Sequence, residues 1–112
     1  MSKVKYFDNA ATTRLDEDLL PILKKYNVDN FYNPSALNRF STQVALDIQK
    51  ARERIANLIG AESREIAFPS CGTEADNTAM FGALRGYRGN IVTSAAEHPA
   101  VYSAANFLKS KG

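Results

Sequence analysis

The sequence predicts an α/β architecture with a mostly parallel sheet flanked by helices, and three observations carry that expectation. Two short β-rich runs, Glu65-Ile66-Ala67-Phe68-Pro69 and Asn90-Ile91-Val92-Thr93-Ser94, are each followed by a helical pattern. The connections between them are short, so strand, helix, strand and helix form a right-handed βαβ unit feeding another crossover. The chain is 45% hydrophobic and 23% charged over 112 residues, which excludes disordered, collagen-like and coiled-coil alternatives.

The elements follow in order. Residues 1–13 contain no apolar stretch long enough for a signal peptide, and no window approaches a membrane span. Over 16–26, Leu19, Leu20, Ile22 and Leu23 fall on one side of a helix that Asp16 or Asp18 can start, with Pro21 near enough to the first turn to be tolerated. Residues 27–34 hold three Asn, one Asp and a Pro around Phe31 and Tyr32, the pattern of an ordered loop carrying aromatics.

Ser35 is the expected cap of a long helix, in which Phe40, Val44, Ile48, Ala51, Ile55, Leu58 and Ile59 recur at three- and four-residue steps before Gly60 stops it. The opposite face carries Gln43, Asp47, Lys50, Arg54 and Asn57. After a turn at 61–64 the first predicted strand ends at Pro69. A small-residue loop, Ser70-Cys71-Gly72, leads into a helix from Thr73 to about Leu84, closed by Gly86 and Gly89. The second predicted strand turns at 95–98 into a last helix, with Pro99 at its first position and Val101, Ala105 and Leu108 on its buried side.

A chain of this length makes one domain and can bury roughly two thirds of its unfolded surface. Two parallel strands leave both sheet edges open, however, and the last helix carries an apolar stripe with nothing further to pack on. The pattern is that of the front of a larger α/β domain, and the chain in isolation is expected to be poorly stable or aggregation-prone.

Charge and cysteine usage narrow the function classes. With 14 basic against 12 acidic side chains, a net charge of +2 and bases scattered along helix faces, the chain lacks the footprint of a nucleic-acid binder. One cysteine permits no intrachain disulfide, and the cytoplasm is the default address. One histidine without partners at ligand spacing argues against a metal site.

The densest functional signal is the strand-to-helix turn Phe68-Pro69-Ser70-Cys71-Gly72-Thr73-Glu74. A helix start offers unpaired N–H groups and a favourable dipole to a phosphate, and Gly72 allows close approach. The turn is neither a Walker loop nor the three-glycine dinucleotide fingerprint. The competing reading is a plain capped helix, with Thr73 as N-cap and Asp76 completing a capping box; Glu74 and Asp76 also count against a phosphate unless their side chains face away from it. Cys71 at a helix start, with His98 at the next strand-to-helix turn, also admits a cysteine nucleophile, against the alternative of an inert small residue. His98 itself sits where open α/β sheets bind ligands, suited to stacking or proton transfer, or else simply caps the helix before Pro99.

At these residues the order of motifs resembles the N-terminal part of cysteine desulfurases of the class V aminotransferase group. The matching pieces are Tyr6-Phe7-Asp8-Asn9-Ala10-Ala11-Thr12-Thr13, Asn33-Pro34-Ser35, Ala51-Arg52 with Ile55-Ala56 and Ile59-Gly60-Ala61, then Glu65-Ile66-Ala67-Phe68 into Gly72-Thr73-Glu74-Ala75-Asp76-Asn77, and Glu97-His98-Pro99-Ala100-Val101. The resemblance implies a pyridoxal 5'-phosphate enzyme of fold type I. Residues 1–34 would form an N-terminal segment and first helix, and 35–112 the start of the large cofactor-binding domain, with the remainder absent. It implies a homodimer that takes sulfur from L-cysteine, leaves alanine, and passes a persulfide to an acceptor protein, as in iron-sulfur cluster assembly.

By the same resemblance Gly72 and Thr73 hold the cofactor phosphate, His98 stacks on the ring as a catalytic residue, and Asn9 and Asn33 lie near the substrate. Four positions depart from the family pattern, which has His and Gly at Asn38 and Ser41, Thr at Pro69 and Gly at Cys71. The cofactor lysine, the acidic partner of the pyridine nitrogen and the persulfide cysteine are expected beyond Gly112, so residues 1–112 alone are expected to be inactive. Two alternatives are a related activity such as a selenocysteine lyase and a truncated, non-catalytic phosphate-binding or interaction module.

Overall fold

The computed structural model describes residues 5–86 and 89–112; the first four residues of the expected N-terminal segment lie outside these. The chain divides into two compact units, Met1–Ile66 and Ala67–Gly112.

In the first unit, Asp16 accepts a hydrogen bond from the Asp18 N–H and starts a 3-10 turn, Glu17–Leu19, that runs into α1, Leu20–Lys24. Pro21 lies in the first turn of α1, where a missing N–H costs nothing. The helix continues as a π-helical turn, Lys25–Asp29, so the residues expected to open the loop extend the helix by one wider turn.

The long helix α2 spans Arg39–Ile59. Its cap is Asn38, which corrects the expectation of Ser35. The Ser35 N–H is taken instead by Asn33 Oδ1 at 2.9 Å, a local turn that ends before the helix begins. Asn38 is extended and its Oδ1 accepts from the N–H groups of Phe40 and Ser41 at 3.1 and 3.0 Å. Gly60 closes α2 at φ +70°, the left-handed conformation that favours glycine.

A polar clasp ties the first helical stretch to α2. The Tyr26 hydroxyl donates to Asp47 Oδ2 at 2.9 Å, Lys25 Nζ donates to that hydroxyl and lies 3.7 Å from the same carboxylate, and Gln43 donates to Oδ1. Phe31, Tyr32 and Phe40 stack in series with centroids 4.8 and 4.9 Å apart, which orders the intervening loop as expected. Arg52 Nε donates to the Ile66 carbonyl at 3.0 Å and holds the end of the unit against α2.

The core of this unit is small. Val44, Ala56 and Ser41 are buried, while Leu58 and Ile59, on the same apolar stripe, remain 85% and 68% exposed. The stripe is real, but most of it is uncovered.

The second unit is a pair of helices, α3 (Gly72–Ala83) and α4 (Pro99–Lys111). Ala100 and Ala104 are buried, small enough for close helix approach, and Phe81 meets Phe107 edge-on at 5.7 Å. Val101, Ala105 and Leu108, the expected buried side of α4, are half-buried.

The two expected strands are corrected: there is no β-strand among the described residues, and 66–69 and 89–94 carry no regular hydrogen-bonded structure. A strand exists only by pairing, because an extended segment cannot satisfy its own N–H and C=O groups. In the second unit, the 89–95 segment and one side of α4 border an open groove of about 1110 Å³, lined by Ile91, Thr93, Tyr102, Ala105 and Leu108 among others. No helix among the described residues is long and apolar enough to cross a membrane.

Candidate functional site

The start of α3 collects the residues singled out by sequence. Cys71, extended at φ −162°, is the N-cap, which corrects the expected Thr73 cap; Gly72 and Thr73 are the first two helical residues. The first intrahelical bond is Ala75 N–H to Cys71 C=O at 3.1 Å, so the N–H groups of Gly72, Thr73 and Glu74 precede the ladder and have no acceptor within it. A Cβ built on Gly72 would meet no atom within 4 Å. The space beside position 72 is therefore open to an approaching group.

The expected capping box between Thr73 and Asp76 is replaced by a different contact. Glu74 turns back, and its Oε2 accepts from the Ser70 N–H at 2.7 Å and the Ser70 hydroxyl at 2.6 Å. These two bonds hold its carboxyl below the ordinary range for a glutamate. The thiol of Cys71 is also drawn below its ordinary value, first by the Glu74 N–H, then by the Ser70 hydroxyl and the Thr73 N–H. Asn77 donates to the Thr73 carbonyl at 2.7 Å and steadies the first turn from the following one.

His98 is exposed and caps α4, its Nδ1 accepting from the Ala100 N–H at 3.1 Å. Capping and a ligand role are compatible here: an Nδ1 that accepts leaves the neutral ring's proton on Nε2, and the ring faces are open to solvent. No hydrogen bond or ring contact among the described residues joins His98 to the 70–74 turn.

Asn9 and Asn33 lie in the first unit, apart in sequence and both exposed. Asn9 sits in a turn closed by the Ala11 and Thr12 N–H groups on the Asp8 carbonyl. Asn33 spends its Oδ1 on Ser35, which leaves its amide nitrogen to donate. No group of three or more His, Cys, Asp or Glu able to hold a metal occurs among the described residues.

Two features escaped the sequence reading. Glu74 satisfies Ser70, four residues back, and so does not face an anion at the helix start; the Ser-x-x-x-Glu spacing was the available signal. Asn38 and Ser41, both departures from the family pattern, are partners: Asn38 Nδ2 donates to Ser41 Oγ at 3.0 Å while Oδ1 caps the Ser41 N–H.

Comparison with known proteins places these residues in context. The family model of class-V aminotransferases matches residues 5–112. Cysteine desulfurase NifS of Azotobacter vinelandii is 43% identical over 110 residues, covering 96% of this chain and 27% of that protein. A cysteine desulfurase of Nostoc sp. is 40% identical over 111 residues, with 97% and 28% covered. Cysteine desulfurase IscS of Dictyoglomus turgidum is 40% identical over 115 residues, with 100% and 29% covered. The chain thus spans less than a third of the length of these relatives. No solved structure matches.

Proposed function

The chain belongs to the class-V aminotransferase family, and we propose that it forms the N-terminal portion of a pyridoxal 5'-phosphate enzyme that desulfurates L-cysteine. The observation that carries this reading is the open start of α3. Helix-start N–H groups outside the intrahelical ladder, a side-chain-free position 72 and an acidic residue fastened to Ser70 occur together in a chain whose curated relatives are cysteine desulfurases.

The residues present fit the cofactor. Gly72 and Thr73 point backbone N–H groups, backed by the helix dipole, at a phosphate that Gly72 lets approach closely. The bound cofactor supplies an electron sink for the carbanion left when the substrate loses its α-proton. His98, held by its Nδ1 bond to Ala100, would stack on the bound cofactor's ring and hold or pass a proton at Nε2. Asn9 and Asn33 are the substrate-side residues in this reading, and Asn33, with Oδ1 committed to Ser35, keeps its amide nitrogen to donate.

In this reading residues 1–34 form the N-terminal segment and first helix. Residues 35–112 begin the large domain of a fold type I enzyme, in which 65–69 and 90–94 become strands once neighbouring strands pair with them. The enzyme is a cytoplasmic homodimer that hands sulfur to an acceptor protein, and residues 1–112 alone bind but do not turn over. The test is the full-length protein given L-cysteine with a thiol reductant. Alanine and sulfide in equal amounts, dependent on added pyridoxal phosphate, are the expected products. An apo-protein that fails to bind pyridoxal phosphate would overturn the reading.

A further inference from the structure

We propose that Glu74 is a positioning residue for the phosphate cradle: its carboxylate clamps Ser70 and thereby keeps the N–H groups of Gly72 and Thr73 turned outward. This deepens the reading above and rests on it. An acid at the third position of a helix has two options. Pointing forward, it would compete with an anion for the free N–H groups; pointing back, it can fasten the residue before the cap.

Glu74 takes the second option, with both Ser70 donors converging on the single atom Oε2 at 2.7 and 2.6 Å. The turn has few other fastenings. Cys71, the N-cap, offers only sulfur, a weak acceptor, and makes no side-chain cap bond of normal geometry. Pro69 has no N–H, so the Ser70 N–H is the first donor of the turn, and it is the one that Glu74 holds. Glu74 therefore fastens the residue before the cap, and its carboxylate is engaged there and not on the N–H groups of the helix start. Its charge, satisfied by two donors, opposes a phosphate less than a free carboxylate would.

The experiment uses the full-length apo-protein titrated with pyridoxal phosphate and, separately, with pyridoxal, which lacks the phosphate. Glu74→Ala is expected to weaken pyridoxal phosphate about tenfold, the equivalent of one charge-assisted hydrogen bond, and to leave pyridoxal within about twofold. Glu74→Gln retains one oxygen able to accept from both Ser70 donors and is expected to restore affinity to within about threefold of wild type. Asp76→Asn removes a nearby charge that makes no hydrogen bond or ion pair among the described residues, and is expected to change affinity less than about fivefold.

Unchanged or tighter pyridoxal phosphate binding in Glu74→Ala, or an equal loss for pyridoxal, would overturn the positioning role while leaving the cofactor reading intact. A wild-type protein that binds neither compound would overturn the cofactor reading itself, and the positioning role with it.

Discussion

Two helices of this chain begin in opposite ways. At the start of α2 the Asn38 amide accepts from two backbone N–H groups and donates to the buried Ser41 hydroxyl, so the cap is answered from within the turn. At the start of α3 the cap is a cysteine whose sulfur, a weak acceptor, draws on the Glu74 and Thr73 N–H groups, Glu74 is fastened back onto Ser70, and the space beside Gly72 is open. Helix-start donors are closed by an amide side chain in one place and, in the proposed reading, serve a ligand in the other. In that reading the α3 start, which lacks a conventional cap and holds its acid aside, is the one organised for an anion.

The largest effect should come from filling the open start. Gly72→Val places a side chain where nothing else stands, so the fold tolerates it. Affinity for pyridoxal phosphate should fall roughly a hundredfold, as expected for losing one or two charge-assisted hydrogen bonds. Equilibrium titration of the apo-protein checks this.

Opening the closed start is the converse. Asn38→Ala should cost about 1–2 kcal/mol of stability, from the lost cap and the unanswered Ser41 hydroxyl, seen as a lower denaturation midpoint. Cofactor affinity should be unchanged.

A smaller effect distinguishes what occupies the open N–H groups. The Cys71 thiol is lowered by the Glu74 N–H, the Ser70 hydroxyl and the Thr73 N–H, the last of which belongs to the cradle. Pyridoxal phosphate should therefore slow alkylation of Cys71 by iodoacetamide at neutral pH, by drawing that donor away and returning the thiol toward its ordinary value. Equal rates with and without cofactor would separate thiol and cradle.

The smallest effect is on acid stability. The Tyr26 hydroxyl and Gln43 hold the Asp47 carboxyl below its ordinary value, against the opposing influence of desolvation. A depressed carboxylate contributes stability that is present above its unfolded pKa and is lost as pH falls through the folded one. Asp47→Asn should thus flatten the loss of thermal stability below about pH 4, and leave neutral-pH cofactor binding alone.

What the sequence made legible follows from what is local. Pro99 after His98, Gly60 after Ile59 and the period of α2 each encode a helix end or face within a few residues, and all three appear as expected. The strands at 65–69 and 90–94 depend on hydrogen-bonding partners distant in sequence, so their β-rich composition shows no pairing here. Caps shifted by two or three residues, from Ser35 to Asn38 and from Thr73 to Cys71, because several polar residues compete at each start and side-chain geometry decides among them. At the site, the glycine and threonine were legible as residue types suited to phosphate. The backward turn of Glu74 was not, since charge alone does not state direction.

The contrast between the two helix starts is tested most directly by one paired measurement on the full-length apo-protein: pyridoxal phosphate affinity and thermal midpoint in Gly72→Val and Asn38→Ala. The expected result is a crossed pattern, with Gly72→Val losing affinity at an unchanged midpoint and Asn38→Ala losing midpoint at an unchanged affinity. Gly72→Val protein that binds pyridoxal phosphate as tightly as wild type would contradict the assignment of the α3 start as the phosphate cradle.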